Sequence, residues 1–287
     1  MSRNTEQVRL LNNADLPLVV RLLQSSEYTY QRFTPEELPT LLDQYPAVGA
    51  FGGPSLRSFM LSQTVNGSSA WIGGFGVSWS ESKNYLSHLD LLLNHLRPAL
   101  VSRGARYLHY SGNDSEQDWL RPVLLKRNFL PYRQLYAYDK YDFNISTYGN
   151  QEVIIRPVES RDISTLLQLE QLCFEELWRY DAASFKTIAA THPYFVVAEL
   201  NGQVIGYQFN ALDEIYGYLV RIAVHPNINS KGIGARLMAE AIAFFQRSHV
   251  ERIMLNTQDN NHHAHRLYEW FGFIRIPQLG FVLRRHL

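Results

Sequence analysis

The chain has 287 residues, more than one domain of ordinary size, and two domains that each bury a core fit that length better than one. Its 27 Lys and Arg balance 27 Asp and Glu, so no long-range field draws it to nucleic acid or to an anionic membrane, and a single cysteine excludes an internal disulfide. Met1 to Glu6 lacks the apolar core of a signal peptide, and no apolar run reaches the ~20 residues that cross a bilayer, so a soluble, cytoplasmic protein is expected.

Val8 to Leu22 reads as a strand followed by a helix, with Asp15 as the N-cap ahead of apolar residues at helical spacing. Asn66-Gly67 marks a hairpin, Trp71 to Trp79 a strand, Tyr85 to Ser102 a long helix and Arg106 to Tyr110 another strand. The polar stretch from Lys140 to Glu152, with Gly149-Asn150, reads as a linker. Ile155 to Leu169 then repeats the opening pattern, matching Arg156 to Arg9, Asp162 to Asp15 and Leu169 to Leu22. Leu169 to Trp178 reads as an amphipathic helix, with Cys173 a small buried hydrophobe and Leu172, Phe174 and Trp178 free for packing or for a substrate rim. Asn201-Gly202 is the second hairpin signal, and Arg252 to Asn256 corresponds to Arg106 to Tyr110. Near the ends, Leu125 to Phe129 lies over Glu269 to Phe273. The chain therefore divides into residues 1–140, a linker at 141–152 and residues 153–287, the two halves related by duplication.

The chemistry sits in the second half. Arg221 to Leu237 runs from a strand through a glycine-punctuated turn into an apolar helix. Gly232 and Gly234 lack Cβ atoms, so the backbone can approach an anion where the helix start presents free N–H groups and its positive dipole end. A nucleotide P-loop requires Lys-Ser or Lys-Thr after its last glycine, and the dinucleotide fingerprint requires three glycines; neither matches. After the next strand comes Asn261-His-His-Ala-His-Arg-Leu-Tyr-Glu-Trp-Phe-Gly-Phe273.

Together the two segments resemble the GNAT acetyltransferase superfamily, with Asn261, Ala264, Leu267, Tyr268, Gly272 and Phe273 at that family's positions. The resemblance implies an α/β (α+β) fold of two tandem GNAT-like domains, each a mixed, mostly antiparallel twisted sheet flanked by helices. It also implies acetyl-CoA as co-substrate. The main chain of Ile222, Ala223 and Val224 would hold the pantetheine, with an N–H of Ala223 or Val224 facing the thioester carbonyl. The turn of Asn229, Ser230, Lys231, Gly232, Ile233, Gly234 and Ala235 would hold the pyrophosphate, and Asn261, Ala264 and Tyr268 complete the cofactor set. Asn229 departs from the Gln or Arg common in that turn, which matters little where backbone N–H groups make the contacts and Lys231 adds a charge.

Acetyl transfer to an amine requires a neutral amine, a stabilised oxyanion and a proton for the departing thiolate. The resemblance assigns the proton to Tyr268, a phenol protonated at neutral pH. Ribosomal-protein alanine N-acetyltransferases, which this half most resembles, carry a Glu five residues before the Asn; here that residue is Asn256, which takes no proton. Glu214 is the substitute base among Asp213, Glu214, His225, Tyr216 and Tyr218, with a water chain as the alternative. His262, His263 and His265 crowd one segment without a carboxylate or Cys at ligand spacing, so no metal is expected. The first half reads Ser80-Glu-Ser-Lys-Asn84 where the glycine turn would stand and Leu124 in place of Tyr268, which makes it a degenerate domain without a cofactor motif. The expected activity is acetyl-CoA-dependent N-acetyl transfer to a small-molecule amine or a protein or peptide N-terminus, with no nucleic-acid or membrane partner. The rival readings are a catalytically weak acyl-CoA-binding sensor and a scaffold whose inherited motif is unused.

Overall fold

The computed structural model describes residues 7–113, 118–228 and 231–287. It forms two compact units, one of residues up to Tyr132 together with Val282–Leu287, the other Arg133–Phe281.

The first unit opens with β1 (Gln7–Leu10) and α1 (Leu16–Ser25). Asp15 does not cap α1 with its side chain. It accepts from the Asn12 backbone N–H at 3.1 Å and takes a bidentate pair of 2.7 Å bonds from Arg9, so it closes the preceding turn and ties it to β1. β2 (Ser26–Gln31) and α2 (Leu38–Gln44) follow, then the meander of β3 (Ala47–Gly52), β4 (Ser55–Asn66) and β5 (Ser69–Ser78). Asn66 pairs with Ser69 across the expected hairpin. α3 (Tyr85–Val101) is reached through a 3-10 turn at Trp79–Asn84, and β6 (Tyr107–Asn113) and α4 (Leu120–Leu125) follow.

β5 pairs in parallel with β6 over only three positions, Ser69↔Tyr107 to Trp71↔His109. Beyond them, Gly74 to Val77 pair with β4 on one side, and Gly74 to Ser78 pair with β2 on the other. Tyr28 of β2 stacks on Tyr85 at the start of α3 at 4.2 Å, and Trp119 meets both rings edge-on.

β7 (Leu130–Lys140) places most of its length in the second unit, where its partner is β12 (Arg252–Gln258). The other elements of that unit are β8 (Ile154–Pro157), α5 (Ile163–Cys173), α6 (Ala182–Thr191), β9 (Tyr194–Leu200), β10 (Gln203–Leu212), β11 (Tyr216–Val224), α7 (Ile233–Arg247) and α8 (His262–Trp270). Its strands run in the order β7, β12, β11, β10, β9, β8. β13 (Ile274–His286) ends in the first unit, where the Leu287 N–H donates to the Arg106 carbonyl at 2.8 Å.

The opening device recurs: Arg156 holds Asp162 with bonds of 2.8 and 2.9 Å, and Asp162 accepts from the Glu159 N–H at 2.8 Å. α7 buries Leu237, Met238, Ala241, Ile242 and Phe245 at helical spacing, the Leu, Met, Ile and Phe side chains each contributing roughly 1.5–3 kcal/mol. That apolar stripe fixes the helix against β11 and sets where its N-terminus points.

Candidate active site

β11 and β12 run parallel and pair at three positions, Tyr216↔Arg252, Gly217↔Ile253 and Tyr218↔Met254. Beyond Tyr218 they part, and among the described residues no other strand takes that edge of β11. On its far side β11 stays paired with β10 as far as Gly206↔Val224, with Val220 the extra residue of a bulge opposite Phe209 and Asn210. The His225 N–H donates to the Ile205 carbonyl at 2.8 Å. Main-chain groups of an antiparallel ladder face the partner at every second residue, so Ala223 also faces β10, while Ile222 and Val224 aim their N–H and C=O groups into the gap. The expectation that Ala223 offers its N–H to a thioester is corrected on that ground.

The gap opens into a cleft of about 640 Å³, lined by β11, the starts of α7 and α8, and Leu172, Cys173 and Phe174. Gly232 caps α7 at φ +75°, a left-handed conformation that favours glycine, and its carbonyl accepts from the Arg236 and Asn150 N–H groups at 3.0 and 3.2 Å. Residues 149–150 thus tie down the turn from behind. A Cβ on Gly234 would meet Leu267 at 3.5 Å and Val224 at 4.0 Å, which is ordinary contact. The packing of the protein itself therefore does not demand glycine there. Ile233 and Ala235 turn their side chains into the core while their N–H groups lie in the first turn of α7. Lys231 is exposed beside Gly232, and the expected contacts of Asn229 and Ser230 lie outside the described residues.

Asn261 caps α8: its Oδ1 accepts from the Ala264 N–H at 3.3 Å and its Nδ2 donates to Thr257 at 3.1 Å. The cap orients α8 so that Ala264, Leu267 and Tyr268 line the cleft. Tyr268 is 5% exposed, its ring edge-on to Tyr138 at 5.7 Å, and among the described residues its hydroxyl has no hydrogen-bond partner. Burial, reinforced by Tyr138, pushes its pKa well above the ordinary phenol value, with Arg221 pulling the other way. His265 is committed to structure, one ring nitrogen 3.0 Å from the Gln258 carbonyl and the other 2.7 Å from the Tyr138 hydroxyl.

The model of the acetyltransferase (GNAT) family matches residues 163–273, which span the whole cleft. The second half carries a GNAT acetyltransferase domain. A putative ribosomal protein bS18-alanine N-acetyltransferase of Bacillus subtilis is 23% identical over 120 residues, 41% of this chain and 78% of that protein. N-alpha-acetyltransferase 30 of Saccharomyces cerevisiae is 40% identical over 63 residues, 22% of this chain and 36% of that one. The fold of the whole chain is that of a tandem GNAT protein from the clavulanic acid biosynthesis pathway, with a TM-score of 0.66 at 11% identity over 98% of both chains. The activity that goes with the GNAT domain is acyl-CoA-dependent N-acetyl transfer.

Within the GNAT domain Glu214 is not among the residues that line the cleft. It is exposed in the turn before β11, eight residues before Ile222, so at ~3.3 Å per residue it lies about 25 Å from the Ile222 main chain. A different carboxylate is held just beyond the end of β12. The expected helix from Leu169 to Trp178 stops at Cys173, because Phe174 is extended, and the chain turns across the open ends of β11 and β12. There Glu175 ion-pairs with Arg133 of β7 and accepts from Asn260 Nδ2 at 3.3 Å. Arg221 lies between the Phe174 and Tyr180 rings, with its charge met by buried Glu170 at 3.0 Å. Glu170 also accepts from the Tyr207 hydroxyl and from the Tyr180 N–H at 2.6 Å, which fastens α5 to β11 at the bulge. Cys173 Sγ lies 3.3 Å from the Val224 carbonyl, and burial pushes its thiol up to about 11. At neutral pH it is no nucleophile.

Proposed function

We propose that the second half transfers acetyl from acetyl-CoA directly to an amine, through Ile222, Val224, the α7 N-terminus and Tyr268. The observation that carries this reading is the edge of β11 left unpaired among the described residues, which leads from the gap to a helix start with no side-chain cap, along a cleft whose described lining contains no Asp or Glu. The residues fit the co-substrate. Gly232, Ile233, Gly234 and Ala235 would take the pyrophosphate on backbone N–H groups, with Lys231 adding charge. Val224, nearer the turn, would take the pantetheine amides, and Ile222, farther along, would present its N–H to the thioester carbonyl. Acetyl-CoA supplies the activated acetyl group. Tyr268 holds a proton at the inner end of the cleft for the departing thiolate, and its raised pKa keeps that proton in place at neutral pH.

Glu175 takes the role first given to Glu214. Its carboxylate, placed by Arg133 and Asn260, binds the incoming ammonium and accepts a proton from it, directly or through a water, so that the amine attacks neutral. The acceptor is an amine, with peptide N-termini first in order of test because two relatives are named for that chemistry. The first half binds no acetyl-CoA and serves as a degenerate partner domain. The single cysteine, which excludes an internal disulfide, fits a reducing, cytoplasmic setting.

Titration of acetyl-CoA followed by thiol release over a panel of peptides and small amines tests the reading. One site per chain and release with at least one amine is the expected result. Binding without release from any amine would favour an acyl-CoA sensor, and no binding would sink the assignment of the cleft.

A further inference from the structure

His263, Arg266, Leu267 and Trp270 recur along α8 at three- and four-residue intervals, so they share the helix face that lines the cleft. Leu267 lies within 3.5 Å of the position a Gly234 side chain would take, which fixes this face beside the start of α7. From there the face continues outward to the mouth of the cleft, and its chemistry changes on the way. Trp270 is 59% exposed at the cleft, which leaves its indole face open to a flat partner. Arg266 touches only the His262 carbonyl and His263 Nδ1, each at 3.4 Å, and among the described residues it ion-pairs with no carboxylate. No acid lines the cleft, although the chain as a whole carries equal numbers of acids and bases.

An aromatic plane and an uncommitted guanidinium, one helical turn apart beside a phosphate-binding turn, match a purine and a ribose phosphate dianion. We propose that this face of α8 is a subsite for the adenosine end of CoA, with Arg266 assisted by His263 on the 3′-phosphate and Trp270 packed on the adenine. The chain then discriminates CoA from dephospho-CoA, which differs only in lacking that phosphate. The proposal rests on the cleft being the acetyl-CoA site.

Calorimetric titration of CoA and dephospho-CoA into wild type, Arg266→Gln, Arg266→Lys and Trp270→Ala tests it. Arg266 and Trp270 are surface residues, so the variants fold, and a melting curve for each confirms this. Wild type should bind CoA at least ~10-fold more tightly than dephospho-CoA, as a charge-assisted bidentate contact implies. Arg266→Gln should erase that preference while leaving the dephospho-CoA affinity within about twofold, Arg266→Lys should restore part of it, and Trp270→Ala should weaken both ligands alike. Equal binding of the two ligands by wild type, or equal loss of both in Arg266→Gln, would overturn the subsite and leave the cleft assignment standing. If wild type binds neither ligand, the cleft assignment itself fails and takes the subsite with it.

Discussion

Replacing Gly234 with Ala separates what the fold needs from what a ligand needs, because the two respond with opposite signs. The added methyl meets Leu267 at 3.5 Å and Val224 at 4.0 Å, so nothing has to move, and Gly234 is not among the glycines at positive φ. The substitution removes the entropic cost of a helical glycine, about 0.5–1 kcal/mol, so the unliganded protein should melt about 1–4 °C higher. The same methyl stands on the cleft wall where the backbone must approach a phosphate. If it displaces one or two charge-assisted N–H contacts at about 1.5–3 kcal/mol each, CoA affinity falls by ~10-fold to ~10⁴-fold. Melting curves with and without CoA at about 100 times the wild-type Kd read both effects. Wild type should gain about 2.7 kcal/mol from the ligand and the variant less than half of it, so the order of melting reverses when CoA is added. A variant that keeps the full CoA shift would refute the phosphate role of the turn. One that melts lower without ligand would refute the claim that the fold tolerates a side chain there.

Tyr268→Phe should lower turnover by ~10²-fold or more with CoA affinity and melting temperature nearly unchanged, because the lost hydroxyl has no hydrogen bond among the described residues. Undiminished turnover would remove Tyr268 from the chemistry. Glu175→Gln keeps the Asn260 contact but loses the proton acceptor, so kcat/KM for the amine should fall by ~10- to 100-fold at pH 7 while CoA binding holds; a selective loss of CoA binding instead would make Glu175 part of the cofactor site. Alkylation of Cys173 by iodoacetamide should be slow at pH 7.5 and rise about tenfold per pH unit toward a plateau at about 11, and rapid labelling at neutral pH would contradict the burial of the thiol. Asp162 has its pKa held below the ordinary carboxylate value by its bonds to Arg156, so its stabilisation is complete above that value and disappears as pH falls through the lower folded one. Asp162→Asn should therefore melt several degrees below wild type at pH 7, with the gap closing below pH ~4; a gap independent of pH would show that the charge is not what matters.

The proposed cofactor side of the cleft was legible in its local structure, because its requirements are backbone requirements that particular residues announce. Gly232 must be left-handed, Asn261 must cap, and Tyr268 follows Asn261 at a helical spacing that keeps both beside the cleft. The doubled Arg-to-Asp device was legible for the same reason, although the residues close a turn and brace a strand where a plain N-cap was expected. The proposed base was not legible. Glu214 is near β11 in sequence, but an extended strand carries neighbours apart by ~3.3 Å per residue, so proximity along the chain became distance. Glu175 is held by Arg133 and Asn260, residues 42 and 85 positions away, and no local pattern reports such partners. Which amides of β11 face the gap depends on the Val220 bulge and on the register with β10, which are tertiary facts.

The two halves meet one physical problem with different answers. Each has a strand that pairs with its parallel neighbour for three residues and then parts from it, leaving a row of main-chain donors and acceptors that cannot stay buried without partners. In the first unit the chain supplies the partner itself. β2 pairs with Gly74 to Ser78, Tyr28 stacks on Tyr85, and Trp119 closes the space behind them. In the second unit α5 is followed by the Phe174 to Trp178 loop and α6, with no strand inserted, and the edge from Ile222 to Val224 is left to the cleft. On the proposed reading, the amide-bearing arm of CoA provides there the alternating donors and acceptors that β2 provides in the first unit. The glycine turn and the strand vacancy are then two halves of one requirement. A first half lacking the glycines gains nothing by keeping its groove open, and one that fills the groove with its own strand has no use for the glycines. On that reading the coupling accounts for why residues 80–84 and residues 26–31 depart together from the pattern of the second half, and the proposed acetyl-CoA site is then confined to the second half.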